Sequence, residues 1–304
     1  MEVLFSVYIL QENFTHCSLF TIKQNVTSFV YFQLLVTLRY LAKGDFFSET
    51  GDLHGISRSS VSRHVWQVVN SIDEKLKNIK FPTASVDISS VKRAFYKVAG
   101  LPNCVGAVDG TLIPIIAPAG LYEPAFVCRK GYHALNVQAV VDHNMRFTDV
   151  VARWPGSTHD ATIFHVCGLR QNLKDNNLGW LLWDSGYPLR PYLMTPKINP
   201  GPVKEERYNK AHSQTRMMVE RAFGMLKSRF RCLHKTGGCL PFTPEKSAKI
   251  VSVCCKLHNV CLERNIPLIG DILIEDTLNN DDVFTISQSI QTGMNTRATL
   301  IDLL

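Results

Sequence analysis

Two carboxylates separated by 35 residues are the part of the sequence best suited to carry chemistry. Asp184 closes the short apolar run Leu181–Trp183, and the turn-forming segment Ser185–Pro188 follows it, which predicts a strand with an acid at its carboxyl end. Glu220 lies in a segment whose apolar residues recur at helical spacing. A strand end and a helix can meet at the edge of an open α/β sheet. Because two carboxylates about 4 Å apart repel by roughly 4 kcal/mol at an effective dielectric near 20, the pair predicts a divalent cation between them.

Two further aspartates are candidates for the same site. Asp109 lies inside the apolar run Val105–Ile115, where an unpaired carboxylate is costly, so we interpret it as a site residue. The alternative is a hairpin turn, since Asp-Gly is a frequent hairpin dipeptide, although the continuing apolar run disfavours it. Asp160 follows Trp154–His159, where a helix can begin, so Asp160 either belongs to the site or only complements the helix dipole.

Basic residues surround Glu220 in the sequence. Such residues can line a groove for a phosphate backbone, whereas a solvated helix face is the alternative interpretation. Their position beside the acids favours the groove. The predicted DNA contacts in this segment are Arg216, Arg221, Lys227 and Arg229.

The elements that precede the acids include a second candidate for DNA contact. Residues 1–75 read as helical, with a helix-turn-helix at about 46–72. Gly55–Ser57 forms the predicted turn, and Ser57 caps a helix from Arg58 to about Ile72. The second helix of such a unit puts its first residues into the major groove, although an ordinary helical hairpin has the same pattern. The predicted contacts are Ser59, Ser60, Arg63 and His64.

The remaining chain predicts an α/β (α+β) fold, a mixed sheet flanked by helices. Residues 76–100 read as a linker and one helix, residues 101–264 as the α/β domain that contains the candidate acids, and residues 265–304 as a loosely ordered tail. Within the domain, three runs in meander order precede a helix from about Asp160 and the strand that ends at Asp184. Another helix is predicted over residues 245–264.

Composition limits the functional classes. The net charge of +7 is compatible with a polyanionic partner. Nine cysteines, an odd number in apolar segments, indicate reduced thiols in a cytosolic or nuclear protein. No run approaches the roughly 18 apolar residues of a membrane span, so no membrane partner is expected. Cys254, Cys255, His258 and Cys261 superficially resemble a zinc cluster, but neighbouring helical cysteines point to different faces, which makes zinc there a weak alternative.

The motifs taken together resemble the PIF/Harbinger superfamily of DDE transposases. Four ordered phrases carry the resemblance, which covers roughly residues 38–264: Val108–Thr111, Trp154–Asp160, Trp183–Pro188 and Glu220–Gly224. Supporting phrases lie at 128–133, 207–213, 228–233 and 257–259. The 35 residues between Asp184 and Glu220 also match the DD35E spacing of such enzymes.

That resemblance implies an RNase H-like catalytic domain that binds divalent metal, Mg²⁺ or Mn²⁺. Asp109 and Asp184 match the metal-binding aspartates, Glu220 the glutamate, and Asp160 a further acidic position linked with metal binding. It also implies a separate Myb/SANT-like DNA-binding partner protein that assists nuclear entry, and hence a location in nucleus and cytoplasm.

The leading functional prediction is a transposase-derived, metal-dependent nuclease that hydrolyses DNA phosphodiester bonds. A second possibility is a catalytically silent module that binds DNA or a partner, because fold and family do not establish activity. A phosphoesterase for small substrates is a third, disfavoured by the basic groove and the helix-turn-helix.

Overall fold

A five-stranded mixed sheet forms the centre of the computed structural model, which describes residues 24–201, 203–268, 272 and 288–304. The strand order is β3-β2-β1-β4-β5; β1, β2 and β3 pair antiparallel, and β4 and β5 continue the sheet in parallel. The predicted α/β mixed sheet is therefore confirmed. The strands are β1 Cys104–Pro114, β2 Ala134–Val141, β3 Phe147–Pro155, β4 Trp180–Leu182 and β5 Leu193–Met194.

Helices cover the sheet and build the region before it. The described α-helices are α1 Gln24–Lys43, α2 Phe47–His54, α3 Arg58–Lys75, α4 Ser85–Ala99, α5 Asp160–His165, α6 Gly168–Asn176, α7 Val203–Arg229, α8 Pro244–Glu263 and α9 Gln288–Asp302. Helices α4 and α7 pack against β1, and α8 packs against β3. Every residue of β2 is buried, because this strand lies between two others in the sheet and contacts helices α5 and α7.

The N-terminal region has the predicted helix-turn-helix layout. Gly55 has φ +66°, a left-handed conformation that glycine adopts without strain, and it ends α2. The Ser57 hydroxyl accepts a hydrogen bond from the Ser60 amide at 3.2 Å, which caps α3 as predicted. Val61 and Val65 are fully buried and join the main hydrophobic core, so α3 is fixed to the rest of the molecule.

Part of the predicted tail is an ordered helix, so that prediction is wrong for residues 288–302. Helix α9 packs against α7 and β5, and Leu300 is 1% exposed. Arg297 donates to the carbonyls of Thr195 and Pro196 at 3.3 and 3.0 Å. The sequence of α9 has weak apolar periodicity, and its stability comes from docking, which a local pattern does not reveal.

Helix α8 is held to the sheet by its own buried polar residues. Asn259 accepts from the Phe147 amide at 2.8 Å and donates to the Phe147 carbonyl at 2.8 Å. His258 contacts the Met145 carbonyl at 3.2 Å, and burial lowers the pKa of its imidazole to about 4. Cys254, Cys255 and Cys261 are buried thiols in the same helix. Within the described ranges, no three histidine, cysteine or acidic groups are arranged to hold a metal, so the structure gives the zinc alternative no support.

None of the described helices combines the length and apolar character that crossing a bilayer requires. Residues 1–23 of the region predicted to be helical fall outside the described residues, as does most of the predicted tail between 269 and 287.

Candidate functional site

Asp109 lies in the middle of β1 and points to a largely enclosed position. Its side chain is 14% exposed, and its Oδ1 accepts from the amide of Gly110 at 2.8 Å. Residue 109 pairs with Ala139 of β2, so the alternative of a hairpin turn at this Asp-Gly is wrong. The strand continues to Pro114, and the carboxylate interrupts an otherwise apolar strand at the sheet.

Asp160 lies directly against the backbone beside Asp109. Gly110 leaves room for this approach, because a Cβ at residue 110 would be 2.6 Å from the Asp160 Oδ2 atom. The side-chain amide of Asn136 on β2 donates to the Asp160 carboxylate and to the Thr158 carbonyl. Asp160 begins α5 without accepting a capping bond of its own, since the N-cap is His159. The geometry therefore places Asp160 with Asp109 and does not leave it as a helix-dipole residue alone.

A methyl group at residue 110 is expected to disturb this arrangement selectively. In Gly110→Ala the Asp160 carboxylate has to leave its position, so we expect a loss of about 1–2 kcal/mol in stability and roughly tenfold weaker Mn²⁺ binding. Denaturant unfolding and a Mn²⁺ titration measure both effects. Gly168→Ala is the matched control, because a Cβ at Gly168 meets nothing within 4 Å. Unchanged Mn²⁺ binding by Gly110→Ala would mean that Asp160 does not contribute to metal binding.

Asp184 is positioned by the aromatic packing of its neighbours. Trp183 is fully buried, stacks on Tyr187 with ring centroids 3.5 Å apart, and meets Phe164 edge to face at 4.9 Å. This packing fixes the backbone immediately before Asp184. The Gly186 amide donates to Asp184 Oδ1 at 3.2 Å, which orients the carboxylate at the end of β4.

Glu220 reaches the site from α7 through an arginine. Arg216, one turn earlier on the same helix, donates from Nη1 to Asp109 Oδ2 at 3.2 Å and forms an ion pair from Nη2 to Glu220 Oε1. The Arg216 side chain is 21% exposed, and the Glu220 side chain is 28% exposed. Helix α7 thus presents Glu220 toward Asp109, and the Arg216 guanidinium joins the two carboxylates.

The electrostatics of the acids show that they share one poorly solvated region. Burial raises the pKa of Asp109 to about 7; the Arg216 charge lowers it, and the Asp184 and Asp160 charges raise it. Burial also raises the pKa of Asp160, and the Asp184 charge adds to that effect. For Asp184, burial again raises the pKa, Arg216 opposes it, and Glu220 contributes a rise. The charge of Asp184 therefore acts on both Asp109 and Asp160, and the charge of Glu220 acts on Asp184.

The donor set fits a hard divalent cation. Mg²⁺ and Mn²⁺ take oxygen ligands, and the four candidate groups are all carboxylates whose ionised forms repel one another. As the side chains lie, no three histidine, cysteine or acidic groups in the described part of the chain already form a metal-binding cluster. Arg216 lies between two of the acids, so the carboxylates have to rearrange around an ion.

Of the four DNA contacts predicted on α7, only Arg221 is exposed. Lys227 is 1% exposed and donates to the Thr111 hydroxyl at 2.7 Å, so it stabilises β1 and does not reach a phosphate. Arg229 donates to the carbonyls of Ile266 and Pro267 at 2.6 and 3.3 Å and holds the chain after α8. Arg221 is exposed, as a DNA contact requires, and Arg216 faces the acids instead of an open groove.

The predicted contacts on α3 also divide into exposed and buried residues. Ser59 and Arg63 are exposed, and Ser60 is half-buried beside Ser57. His64 is 7% exposed, and its ring nitrogen is 3.0 Å from the Gln33 side-chain amide on α1. The DNA-contact prediction for His64 is therefore wrong, because the residue joins α3 to α1.

One basic residue near the acids is missing from the predicted contacts. Arg129 is exposed, and its charge lowers the pKa of both Asp160 and Asp184, which places its guanidinium close to them. The signal in the sequence is the phrase Cys128–Gly131, which contributes to the family resemblance but has no role assigned to it. His212, by contrast, is buried against the Met194 carbonyl, and burial lowers its pKa to about 4, so it is structural.

Comparison with known proteins gives the same family as the motifs. The family model described as "DDE superfamily endonuclease" matches residues 108–259, half of the chain. The human "Putative nuclease HARBI1" is 39% identical over 234 residues, covering 76% of this chain and 67% of the human protein. The Xenopus laevis protein of that name is 35% identical, covering 79% and 70%. "Protein ALP1-like" of Arabidopsis thaliana is 31% identical, covering 79% and 62%.

No solved structure matches the chain. The family match contains Asp109, Asp160, Asp184 and Glu220, and the mixed sheet is the RNase H-like arrangement that this family implies. The Harbinger resemblance is confirmed by the relatives. The chain belongs to the DDE superfamily endonucleases, among the Harbinger-derived nucleases.

Proposed function

We propose that this protein is a nuclease that hydrolyses DNA phosphodiester bonds with a divalent metal, Mg²⁺ or Mn²⁺. The observation that carries the proposal is the convergence of four carboxylates, in which Asp160 and Asp184 raise the pKa of Asp109 and Glu220 raises that of Asp184. Desolvated carboxylates that repel one another are destabilising unless a cation joins them. Membership of the endonuclease family supports DNA as the substrate.

In this proposal Asp109, Asp184 and Glu220 hold the metal, and Asp160 stands beside them. When bound, such a metal activates water and stabilises the developing charge on the departing oxygen. The chain itself orients the carboxylates, through the Gly110 amide on Asp109 and the Gly186 amide on Asp184. Exposed cations next to the acids neutralise the phosphates of the strand that is cut.

The DNA path follows exposed basic and polar residues of two regions. On α7, Lys210 and Arg221 are exposed, and Arg129 lies near the acids from the loop before β2. On α3, Ser59 and Arg63 remain available to contact the major groove. A Myb/SANT-like partner protein and a location in nucleus and cytoplasm complete the proposal, as the family resemblance implies.

A catalytically silent module that binds DNA or a partner is the second candidate. One observation favours it: Arg216 neutralises Asp109 and Glu220 from within the chain, so the acids have a partner without any metal. The two candidates differ in whether the acidic group binds metal. A silent module gains no stability from Mg²⁺, because only a ligand that binds the folded state stabilises it.

Metal titration followed by cleavage distinguishes the two. We expect Mg²⁺ and Mn²⁺ at concentrations 100 times the dissociation constant to stabilise the protein by about 2.7 kcal/mol, seen as a rise in melting temperature over an EDTA control. The same protein should cut intact or nicked duplex only with these ions present. A flat melting temperature together with no cleavage in either ion would contradict the nuclease proposal and leave the binding module.

A further inference from the structure

We propose that Arg216 is an internal cation that competes with the divalent metal for the oxygen atoms of Asp109 and Glu220, and so sets the metal affinity of the site. This inference rests on the proposed metal-dependent function. It adds a role that neither the motifs nor the family membership assigns. In this view the guanidinium has to release both carboxylates before they can close around an ion.

The contacts of Arg216 support a bridging role. Its Nη1 atom is 3.2 Å from Asp109 Oδ2, and its Nη2 atom is paired with Glu220 Oε1. One planar guanidinium therefore spans two carboxylates that belong to different elements, β1 and α7. Such a fork joins two acids with directed hydrogen bonds, which a point charge such as a lysine ammonium cannot do at once.

The surroundings make this bridge stronger than an ordinary surface ion pair. The side chains of Arg216, Asp109 and Glu220 are 21%, 14% and 28% exposed, so solvent screens them only partly. Burial raises the pKa of both Asp109 and Asp184, and the Arg216 charge is the largest of the influences that lower it. The bridge therefore stabilises the acidic group as it lies in the structure.

A divalent ion and the guanidinium both draw on the carboxylates of Asp109 and Glu220. Asp109 Oδ2 and Glu220 Oε1, the acceptors of Arg216, are carboxylate oxygens of two of the three proposed metal ligands. Placing two cations against the same oxygens would introduce strong repulsion. Metal binding and the Arg216 bridge therefore oppose each other, and the free energy of loosening the bridge weakens the observed metal affinity.

Arg216→Gln removes the competing charge with little change in shape. We expect this variant to bind Mn²⁺ about tenfold more tightly than the wild-type protein, or about 1.4 kcal/mol. Free Mn²⁺ is measured by electron paramagnetic resonance at pH 8.5, where competition by protons is small. Arg221→Gln is the matched control, because it removes the same charge from an exposed position on the same helix. Arg216→Lys keeps the charge but reaches only one carboxylate, so a gain of about threefold is expected.

The outcomes separate this inference from the proposed function. If the wild-type protein binds Mn²⁺ but Arg216→Gln binds it no more tightly than Arg221→Gln, the proposed competition by Arg216 is wrong. The nuclease proposal is unaffected by that result. Absence of Mn²⁺ binding in every protein overturns both. If circular dichroism shows that Arg216→Gln is unfolded, Arg216→Lys decides alone: tighter binding than wild type supports the competition, and equal or weaker binding overturns it.

Discussion

Asp184→Asn is expected to lower the rate of metal-dependent DNA cleavage by about 10³-fold or more, because a loss of roughly 4 kcal/mol in transition-state stabilisation corresponds to that factor. The asparagine keeps the shape and one oxygen of the side chain but removes the negative charge that holds the ion. The aromatic packing of Trp183 and Tyr187 is untouched, so the fold should remain. The measurement is single-turnover cleavage of labelled duplex with Mg²⁺ or Mn²⁺.

Asp175→Asn provides the control for the change in net charge. Asp175 is an exposed residue near the end of α6 that accepts from the neighbouring Gln171 side chain, and it lies outside the acidic group. We expect this variant to cleave at the wild-type rate. Cleavage by Asp184→Asn at an undiminished rate would remove Asp184 from the mechanism, whatever its position in the structure.

Asp109→Asn is expected to stabilise the metal-free protein while abolishing its response to Mg²⁺. Burial raises the pKa of Asp109 from 3.8 to about 7. The ionised carboxylate therefore costs about 4 kcal/mol of folding free energy above pH 7, and a neutral amide avoids that cost. Urea unfolding in EDTA at pH 8.5 measures the gain, and added Mg²⁺ should stabilise the wild-type protein but not the variant.

The gain in stability of Asp109→Asn over the wild-type protein should depend on pH. Since the folded-state pKa of Asp109 is raised, the folded protein binds more protons than the unfolded chain between pH 3.8 and 7. The free energy of unfolding that Asp109→Asn gains over the wild-type protein should thus be greatest above pH 7. It should decline by about 1.4 kcal/mol per pH unit as the pH falls below 7. Asp175→Asn, measured in parallel, should show no such trend. A variant less stable than wild type at pH 8.5 would mean that the Arg216 pair outweighs burial.

The sheet is predictable from the sequence because its strands are strongly apolar and bounded by turn residues. The runs Val105–Ile115 and Leu181–Trp183 coincide with β1 and β4 to within two residues. Helix α9 and the two-residue strand β5 escape prediction for the same reason: each is stabilised by contacts with distant parts of the chain. Local patterns carry little information about such docking.

The acids are easier to predict than their neighbours. Asp109 interrupts an apolar strand and Asp184 ends one, and burying an unpaired carboxylate there costs free energy, so these positions stand out in the sequence. A lysine or arginine on a helix gives no comparable signal, because its long side chain can reach solvent. The errors on α7 follow from helix geometry. Lys227 lies two turns after Glu220 and therefore on the same inward face, where it donates to Thr111. Arg221 directly follows Glu220, so it points to a different side of the helix, and it is exposed.

The relation of Arg216 to the acids could have been inferred in part. It precedes Glu220 by four residues, a spacing that permits an ion pair on one helix face. Its second contact, with Asp109, depends on how α7 crosses β1, which the sequence does not specify. His64 shows the same limit, because its partner Gln33 lies 31 residues away on α1.

Diffraction from crystals soaked in Mn²⁺, with an anomalous difference map, tests most directly whether the acids form a metal site. We expect a peak within coordination distance, about 2.0–2.3 Å, of carboxylate oxygens from Asp109, Asp184 and Glu220, with the Arg216 guanidinium moved away from Asp109. A map with no peak among these carboxylates, and Arg216 still bridging Asp109 and Glu220, would contradict it.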